Sequence, residues 1–340
     1  MTLQELTMLD GVSGEEEAVR AAIRKEITPF CDSVEEDKAG NLIAFKRGRI
    51  PKKLMMTAHM DEVGFIIKGI TDEGYLKFAP VGGIDGRVLL GQRVRVGEKK
   101  VPGVIGIKAV HMTTPEERKT CVKISDMYMD IGAQSKEQAE EVVRLGDYAA
   151  FDSDYVAFGD HKIKAKALDD RVGCLALIQV LQEATCPYDL YAVFTVQEEV
   201  GVRGATVAAY RVQPDIGIVL EGTVCADTYN APEHLHVTTL GKGPAFSLIE
   251  RTSKSDRELV DFLVSTAEKY NIPWQYKRTG AGGNEAGILQ QTGCGAKTAV
   301  ISVPCRYIHS SVSVADERDI EAAAKLAVKL AETIDEVNAS

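Results

Sequence analysis

The 340-residue sequence lacks three features that would each assign it to a broad class of protein. It has no block of lysine and arginine, and its formal net charge of −10 argues against a nucleic-acid surface, which requires clustered cations. No segment approaches the roughly 18 consecutive apolar residues of a membrane span, and the acidic start lacks a signal-peptide pattern. We therefore expect a cytoplasmic protein without a nucleic-acid or membrane partner.

The sequence also lacks paired cysteines. Its seven cysteines are odd in number and are never spaced as CxxC, so we expect neither a disulfide framework nor a zinc knuckle. They are interpreted as reduced and mostly buried.

The remaining pattern predicts an α/β protein. A chain of this length with 45% hydrophobic residues can bury a large core. Apolar strand-like runs alternate with helical patterns, which predicts a sheet covered by helices on both faces. The predicted helices and strands lie near residues 14–27, 52–59, 169–184, 189–196, 204–211, 215–220, 255–270, 274–278, 297–303 and from 315 onwards, with two strand-like segments on either side of 39–41 and a short helix after 287. Ser13 and Glu16 fit a capping box for the first of these helices, which is expected to run through about Ile27.

One region interrupts this alternation. From about Ile66 to Lys162 the sequence consists of short valine- and isoleucine-rich runs broken by glycine, with one helical pattern at 135–146. We predict an α/β domain formed by residues 1–65 and 163–340, and an inserted β domain at 66–162.

Acidic residues and histidines follow the predicted strands. In open α/β sheets, ligands bind at the carboxyl edge of the strands, so these residues are expected to meet there. They are His59, Asp61, Asp169, Asp170, Glu198, Glu199, Glu221 and His309. So many carboxylates at one dry edge would repel one another unless cations neutralised them. Imidazole together with carboxylate suits zinc, cobalt or manganese, whereas calcium favours oxygen alone.

Each residue also has a simpler interpretation. Asp169 or Asp170 would serve as a helix N-cap, and a single histidine is more often a surface or core group than a ligand. Asp227 competes with Glu221 for the same role, although it lies inside a predicted loop. His234 and His236 form an HLH pair without a nearby third ligand.

Five motifs resemble those of the metallo-aminopeptidase family that includes glutamyl, deblocking and tetrahedral (TET) aminopeptidases. They cover nearly the whole chain in the order typical of that family. The motifs are TAHMDEVGF (57–65), ALDDRVG (167–173), QEEVGVRGA (197–205), LEGT (220–223) and IHS (308–310). The resemblance implies a zinc-peptidase-like central mixed sheet, interrupted by a PDZ-like β-barrel that serves dimerisation, with dimers assembling into a dodecamer.

The resemblance also implies a centre of two divalent metal ions. In it, His59 and Glu221 would bind one ion, Glu199 and His309 the other, and Asp169 would bridge them. Glu198 would be the general base, and Asp61 would orient His59. The family often has aspartate at the position of Glu221, which leaves the coordination mode of the longer side chain open.

The implied reaction is hydrolysis of the first peptide bond of a peptide with a free amino terminus, by a metal-activated water and Glu198. The glycine-rich stretch 278–287 would either admit substrate close to the backbone or simply form a turn. A related dinuclear deacylase or carboxypeptidase is the enzymatic alternative. A metal-stabilised assembly or peptide-binding protein is the non-enzymatic one.

Overall fold

A computed structural model describes residues 1–278 and 282–337. They form a large mixed sheet with helices on both faces and a closed antiparallel barrel inserted into the chain, as the sequence predicted. The strands are β1 (Ser33–Glu36), β2 (Leu42–Lys46), β3 (Ile50–His59), β4 (Gly64–Ile70), β5 (Leu76–Val81), β6 (Arg93–Val96), β7 (Val101–Gly106), β8 (Tyr128–Asp130), β9 (Tyr148–Phe151), β10 (Val156–Phe158), β11 (Lys162–Ala165), β12 (Tyr188–Thr195), β13 (Ile216–Val224), β14 (Ala245–Phe246), β15 (Gln275–Tyr276), β16 (Lys297–Arg306) and β17 (Ser313–Asp316). The helices are α1 (Leu3–Met8), α2 (Glu17–Ile27), α3 (Lys136–Glu140), α4 (Leu168–Glu183), α5 (Arg203–Val212), α6 (Arg257–Lys269), α7 (Ala286–Gln291) and α8 (Glu317–Thr333).

The large sheet has the order β1-β2-β12-β3-β13-β16-β17-β11-β10, with β14 pairing with β16 and β15 with β14. The four central strands, β12, β3, β13 and β16, run parallel to one another. Because parallel strands are covered on both faces, their sequences are almost continuously apolar, as in Leu54–Ala58. Their carboxyl ends therefore meet at one edge of the molecule.

Two apolar cores hold the helices against the sheet. The larger lies on the face covered by α2, α4, α6 and α8, and α4 is buried along most of its length because α8 packs over it. The smaller lies on the other face, where alanines of α5 and Leu289 of α7 pack on Met55 and Val219.

The inserted barrel consists of β4, β5, β8, β7, β6 and β9, and it closes around its own apolar core. Phe65 packs edge-on against both Phe78 and Phe151 at its centre. Closure removes the free edges that an isolated small sheet would expose.

The expected helix α2 is confirmed, but its capping box is wrong. Glu16 precedes the helix without a side-chain cap, and Gly14 at φ 97° turns the chain there. The hydroxyl of Ser13 donates instead to Oδ2 of Asp61, at 2.6 Å. The polar residues before α2 thus serve the edge of the sheet rather than the helix end.

Other differences concern the ends of elements. The helix expected at 135–146 stops at Glu140, since the backbone N–H of Arg144 donates to Asp147 and turns the chain towards β9. The strand expected at 215–220 continues to Val224, because β16 pairs with it along its whole length. Helix α1 and strand β17 were not predicted. In the described part of the chain, no helix combines the length and apolarity needed to cross a membrane.

Candidate metal centre

Five acidic and histidine side chains converge at the carboxyl edge of the central strands. His59 ends β3, and Glu221 lies inside β13. Glu199 follows β12, His309 follows β16, and Asp169 lies in the first turn of α4. Open α/β sheets bind their ligands at this edge.

Three of these residues form a buried group, here called the inner half-site (His59, Asp169 and Glu221). Nε2 of His59 lies 3.4 Å from Oδ1 of Asp169 and 3.3 Å from Oε1 of Glu221. The side chains are 2%, 9% and 9% exposed, respectively. Two of the three belong to neighbouring parallel strands, so the sheet itself fixes their separation.

A second group, the outer half-site, consists of Asp169, Glu199 and His309. Nε2 of His309 lies 3.5 Å from Oδ2 of Asp169 and 3.3 Å from Oε2 of Glu199. The side chain of His309 is 36% exposed, against 2% for His59. The outer half-site is therefore exposed at His309, whereas the side chain of Glu199 is only 5% exposed.

Asp169 belongs to both groups and offers one carboxylate oxygen to each. Within each group, the candidate ligand atoms lie within 4.8 Å of one another. Oδ1 of Asp169 is buried and accepts no hydrogen bond from the described residues. Burying a carboxylate oxygen without a hydrogen-bond donor costs free energy. A cation between Asp169 and His59 would compensate for the missing donor.

Both histidines are held in the tautomer that a metal requires. Nδ1 of His59 lies 3.0 Å from the carbonyl oxygen of Asp61, and Nδ1 of His309 lies 2.9 Å from that of Gly83. Because a carbonyl oxygen only accepts, each Nδ1 carries the proton, and in the neutral ring Nε2 keeps its lone pair. Each Nε2 faces carboxylate oxygens, which are also acceptors. A cation, or a second proton, must lie between them.

The pKa values of these side chains reflect the same crowding of carboxylates. Burial raises the pKa of Glu199 to about 7 and that of Glu221 well above its usual range. Burial alone would lower the pKa of His309, but Asp169 and Glu199 raise it to about 9. Burial also opposes ionisation of Asp169, yet the two histidines hold its pKa well below the usual range. Positive charge is needed to keep this cluster ionised.

Asp61 connects the inner half-site to the Glu198–Glu199 turn. Its fully buried carboxylate accepts hydrogen bonds from the backbone N–H of Glu198 at 2.9 Å and of Glu199 at 3.1 Å, besides that from Ser13. Its Oδ1 lies 3.4 Å from Nδ1 of His59. One carboxylate thus positions a histidine and two glutamates.

The chain turns sharply at the paired glutamates, which lets neighbouring side chains take different positions. Gln197 and Val202 both have positive φ, and the N–H groups of Gly201 and Val202 donate to the carbonyl of Glu198. Glu199 consequently lies against His309, while Glu198 lines the adjacent cavity. Burial, opposed by His59 and reinforced by Glu221 and Glu199, raises the pKa of Glu198 well above its usual range.

The start of α4 shows how its two aspartates differ. Asp170 accepts from the N–H of Gly173 at 3.0 Å, which is the capping role, and from the N–H of His59 at 3.1 Å. Asp169 is left to face the histidines. Gly222 makes this approach feasible, because a Cβ there would come within 2.9 Å of the Asp169 Cα.

Several residues around the centre were not foreseen from the sequence. Gly83, in the inserted region, contributes the carbonyl that holds His309. Glu285 is 1% exposed and accepts a hydrogen bond from Thr195. Glu250 and Lys277 line the cavity of about 160 Å³ beside the inner half-site. None of these follows a long apolar strand, so the strand-end pattern could not identify them.

The alternative candidate ligands, Asp227, His234 and His236, lie outside the two half-sites. Asp227 forms a two-bonded ion pair with Arg306, at 2.7 and 2.9 Å. His236 contacts the carbonyl of Ala231, and no metal-type cluster of the described residues includes His234 or His236. In the glycine-rich stretch, Gly282 and Gly283 line the cavity, whereas residues 279–281 lie outside the described residues.

Comparison with known sequences identifies one family that the chain resembles along most of its length. A sequence model described as M42 glutamyl aminopeptidase matches residues 40–326. A protein of Acetivibrio thermocellus that carries the name aminopeptidase is 41% identical over 329 residues, covering 96% of each chain. The lysyl aminopeptidase of Pyrococcus furiosus is 33% identical over 331 residues, covering 95% of this chain and 94% of the relative.

Solved structures of TET aminopeptidases are also similar to nearly the whole chain. The TET aminopeptidase of a marine-sediment Thaumarchaeota archaeon superposes with a TM-score of 0.95 at 35% identity, covering 99% of this chain and 98% of the other. PhTET1 of Pyrococcus horikoshii, solved as a dodecamer, gives a TM-score of 0.86 at 36% identity, with 97% of each chain covered.

Proposed function

The chain belongs to the M42 glutamyl aminopeptidase family and is a peptidase, and we propose that it removes the N-terminal residue of peptides with the help of two divalent metal ions per chain. The observation that carries the proposal is the sharing of Asp169 between two histidine-carboxylate groups.

The proposed ligands are the members of the two half-sites. His59 and Glu221 would hold one ion, Glu199 and His309 would hold the other, and Asp169 would be shared between them. Two observations support this assignment. Oδ1 of Asp169 has no hydrogen-bond partner among the described residues, and the Nδ1 contacts of His59 and His309 leave the Nε2 lone pair of each ring facing the carboxylates. The mixed nitrogen and oxygen donors suit zinc or cobalt best, and manganese is also compatible. When bound, such ions would lower the pKa of a coordinated water and polarise the scissile carbonyl.

Glu198 is the proposed general base. It lines the cavity without belonging to either half-site, and Asp61 fixes its backbone. Its carboxylate accepts the proton of the attacking water and then donates it to the leaving amine. Asp61 acts indirectly, by positioning His59 and the turn that bears Glu198.

The substrates we propose are peptides with a free amino terminus. The carboxylates around the cavity suit an ammonium group, which favours an aminopeptidase over the deacylase and carboxypeptidase alternatives. Membership of the peptidase family removes support from the non-enzymatic alternative.

The inserted barrel is proposed to serve association of the chain with copies of itself, as dimers that assemble into a dodecamer. PhTET1 was solved as a dodecamer. The barrel region also exposes several large apolar side chains, which would be covered in an assembly. They include Val88, Leu90, Val104, Val110, Met112, Val122 and Leu145.

The decisive experiment compares Glu198→Gln with the parent on aminoacyl-p-nitroanilides in the presence of zinc, cobalt or manganese. The amide keeps size and hydrogen bonding but accepts no proton, so kcat should fall by roughly 10²–10⁴-fold. Metal content should stay that of the parent. Exposed Glu268→Gln on α6 is the matched control and should change neither quantity.

Three results would contradict the proposal. They are a Glu198→Gln variant as active as the parent, an active parent without transition metal, and efficient cleavage of N-acetylated peptides. Release of C-terminal residues would favour the carboxypeptidase instead.

A further inference from the structure

The turn that bears the proposed base is held by side chains from distant parts of the chain. Its four consecutive backbone N–H groups at 196–199 donate to Asn41, to Glu16 and, twice, to Asp61. It is the N–H of Gln197 that donates to Glu16, with 3.1 Å between the nitrogen and Oε1. The mechanism proposed above uses Asp61 and leaves Glu16 without a role.

Glu16 is buried although it directly precedes α2, with 4% of its surface exposed. Burying an ionisable side chain costs free energy unless its hydrogen bonds are made. Capping of α2 does not account for the burial, because Glu16 forms no side-chain cap hydrogen bond there. Its Oε1 accepts instead from the N–H of Gly14, at 2.7 Å, and from that of Gln197. The carboxylate therefore joins its own loop to the turn.

The loop that carries Glu16 is anchored beside the end of β3. Val12 forms a parallel bridge with Glu62, and the N–H of Ser13 donates to the carbonyl of Glu62 at 3.2 Å. The hydroxyl of Ser13 donates to Asp61, the other carboxylate that holds the turn. Glu16 and Asp61 thus belong to two segments that are bonded to each other, and both accept from the same turn.

Gln197 has the backbone conformation that most needs such support. Its φ of 55° lies in the left-handed region, which residues with a Cβ rarely adopt unless surrounding contacts hold them there. The N–H of Gln197 is bonded to Glu16, and its carbonyl accepts from the N–H of Arg203 at 3.2 Å. These two bonds fix the peptide planes on either side of Gln197, and hence the direction in which the chain enters Glu198.

We propose that Glu16 is a positioning residue, which fixes the backbone of Gln197 and thereby the direction of the Glu198 side chain. The inference rests on the proposed role of Glu198 as general base. Glu16 belongs to neither half-site and does not line the cavity, so its effect on the reaction passes through the turn. A displacement of a reacting group by about 1 Å costs on the order of 100-fold in rate, so a small shift of the turn is measurable.

Three substitutions of Glu16 separate its hydrogen bond from its charge and size. Glu16→Gln loses the charge, but its amide oxygen can accept the same two hydrogen bonds, so kcat should stay near that of the parent. Glu16→Met is of similar length without a strong acceptor, and Glu16→Asp keeps the charge but is too short to reach Gln197. In both of these, kcat should fall about 10-fold to 100-fold. The exposed neighbour Glu15→Asp is the matched control and should keep the parent's kcat.

The rates are measured on an aminoacyl-p-nitroanilide at saturating cobalt, together with the metal content of each variant. KM and metal content should remain those of the parent in every Glu16 variant, because Asp61 still holds the N–H of Glu199. A fall in metal content that accounts for the loss of kcat would overturn the inference, and so would a Glu16→Gln variant that loses as much as Glu16→Met.

A double-mutant cycle shows whether Glu16 acts through Glu198. In the Glu198→Gln background the base that Glu16 positions is absent, so Glu16→Met should lower the residual kcat by no more than about twofold. The same factor in both backgrounds would show that Glu16 acts by another route, which overturns the inference. Urea unfolding identifies any variant that is not folded under the assay conditions, and Glu16→Asp replaces Glu16→Met in the cycle if the latter is unfolded.

The outcomes distinguish this inference from the proposed function. A Glu198→Gln variant as active as the parent removes the general base, and the role of Glu16 is lost with it. An inactive Glu198→Gln variant combined with Glu16→Met and Glu16→Asp variants that are as active as the parent overturns the inference alone and leaves the aminopeptidase mechanism intact.

Discussion

The inner and outer half-sites use the same ligand types but are held by different parts of the molecule. His59 and Glu221 lie on adjacent strands of the large sheet and are almost fully buried. Glu199 and His309 lie on loops, and His309 has positive φ and is 36% exposed. The inner half-site is therefore organised by the sheet itself, whereas the outer half-site depends on how its loops pack.

The outer half-site also depends on the inserted region. The Gly83 carbonyl, just after barrel strand β5, holds Nδ1 of His309. Neighbouring Gly82 has φ 87°, and a Cβ there would lie 3.3 Å from Cβ of Glu199. The inserted region therefore contacts the candidate metal centre, in addition to exposing apolar side chains. We expect the outer ion to be bound more weakly and to be more sensitive to the barrel.

Exchanging each histidine for alanine should give the largest difference between the half-sites. His59→Ala leaves the buried carboxylates of Asp169 and Glu221 facing each other, so both ions and all measurable turnover should be lost. His309→Ala should lose only the outer ion. Elemental analysis after desalting gives the ion content, and equal losses in the two variants would refute the comparison.

Glu199→Gln should reduce activity less severely and in a metal-dependent way. An amide is a weaker ligand than a carboxylate, so turnover should be low at stoichiometric metal and recover in part with excess metal. The measurement is the rate of p-nitroaniline release against metal concentration. A curve that coincides with that of Glu268→Gln would show that Glu199 binds no ion.

Gly82→Ala should have a smaller effect, confined to the outer half-site. An L-residue at this φ is strained, and its Cβ would lie 2.8 Å from the Val63 side chain, so stability should fall by about 1–2 kcal/mol. Affinity for the outer ion should decrease while the inner ion remains. Urea unfolding and metal titration give the two quantities, and loss of the inner ion instead would be contradictory.

The smallest effect is expected at the link between the barrel and the N-terminal segment. Arg95 of β6 binds both carboxylate oxygens of Asp10, at 2.5 and 3.2 Å. Burial opposes ionisation of Asp10, but Arg95 and Lys166 lower its pKa from 3.8 to about 2. The ionised form is thus stabilised by folding, and its contribution is present above pH 3.8 and lost as the pH falls towards 2.

Asp10→Asn should therefore reduce the free energy of unfolding by about 1 kcal/mol at pH 7. The difference from the parent should stay constant down to about pH 4 and shrink below it. Urea midpoints measured at pH 7, 5 and 3 test this. A difference that grows on acidification has the wrong sign for the assigned pKa.

The sequence predicted the parts of this structure that depend on long regular patterns. The apolar runs of β3 and β12 and the helical pattern of α4 identified the central sheet, and polar residues at their ends indicated where a site would form. The capping box predicted for α2 does not form, because the hydroxyl of Ser13 donates a hydrogen bond to Asp61, which lies 48 residues away in the chain. No local pattern encodes such a contact.

The same reasoning explains which parts of the candidate site were missed. Gly83 acts through a backbone carbonyl, which any residue type possesses, and Lys277 follows a strand of only two residues. Their positions depend on how the barrel and the β14–β15 pair pack against the main sheet. Those are contacts of tertiary structure, and the sequence pattern carries no signal for them.

The most direct test of the central claim is a titration of the metal-free protein with Co²⁺, followed by visible absorbance and calorimetry. The account predicts two ions per chain, bound in two steps of different affinity, with peptidase activity rising in the second step. Saturation at a single ion per chain, or full activity after the first step, would contradict a centre built from two unequal half-sites around Asp169.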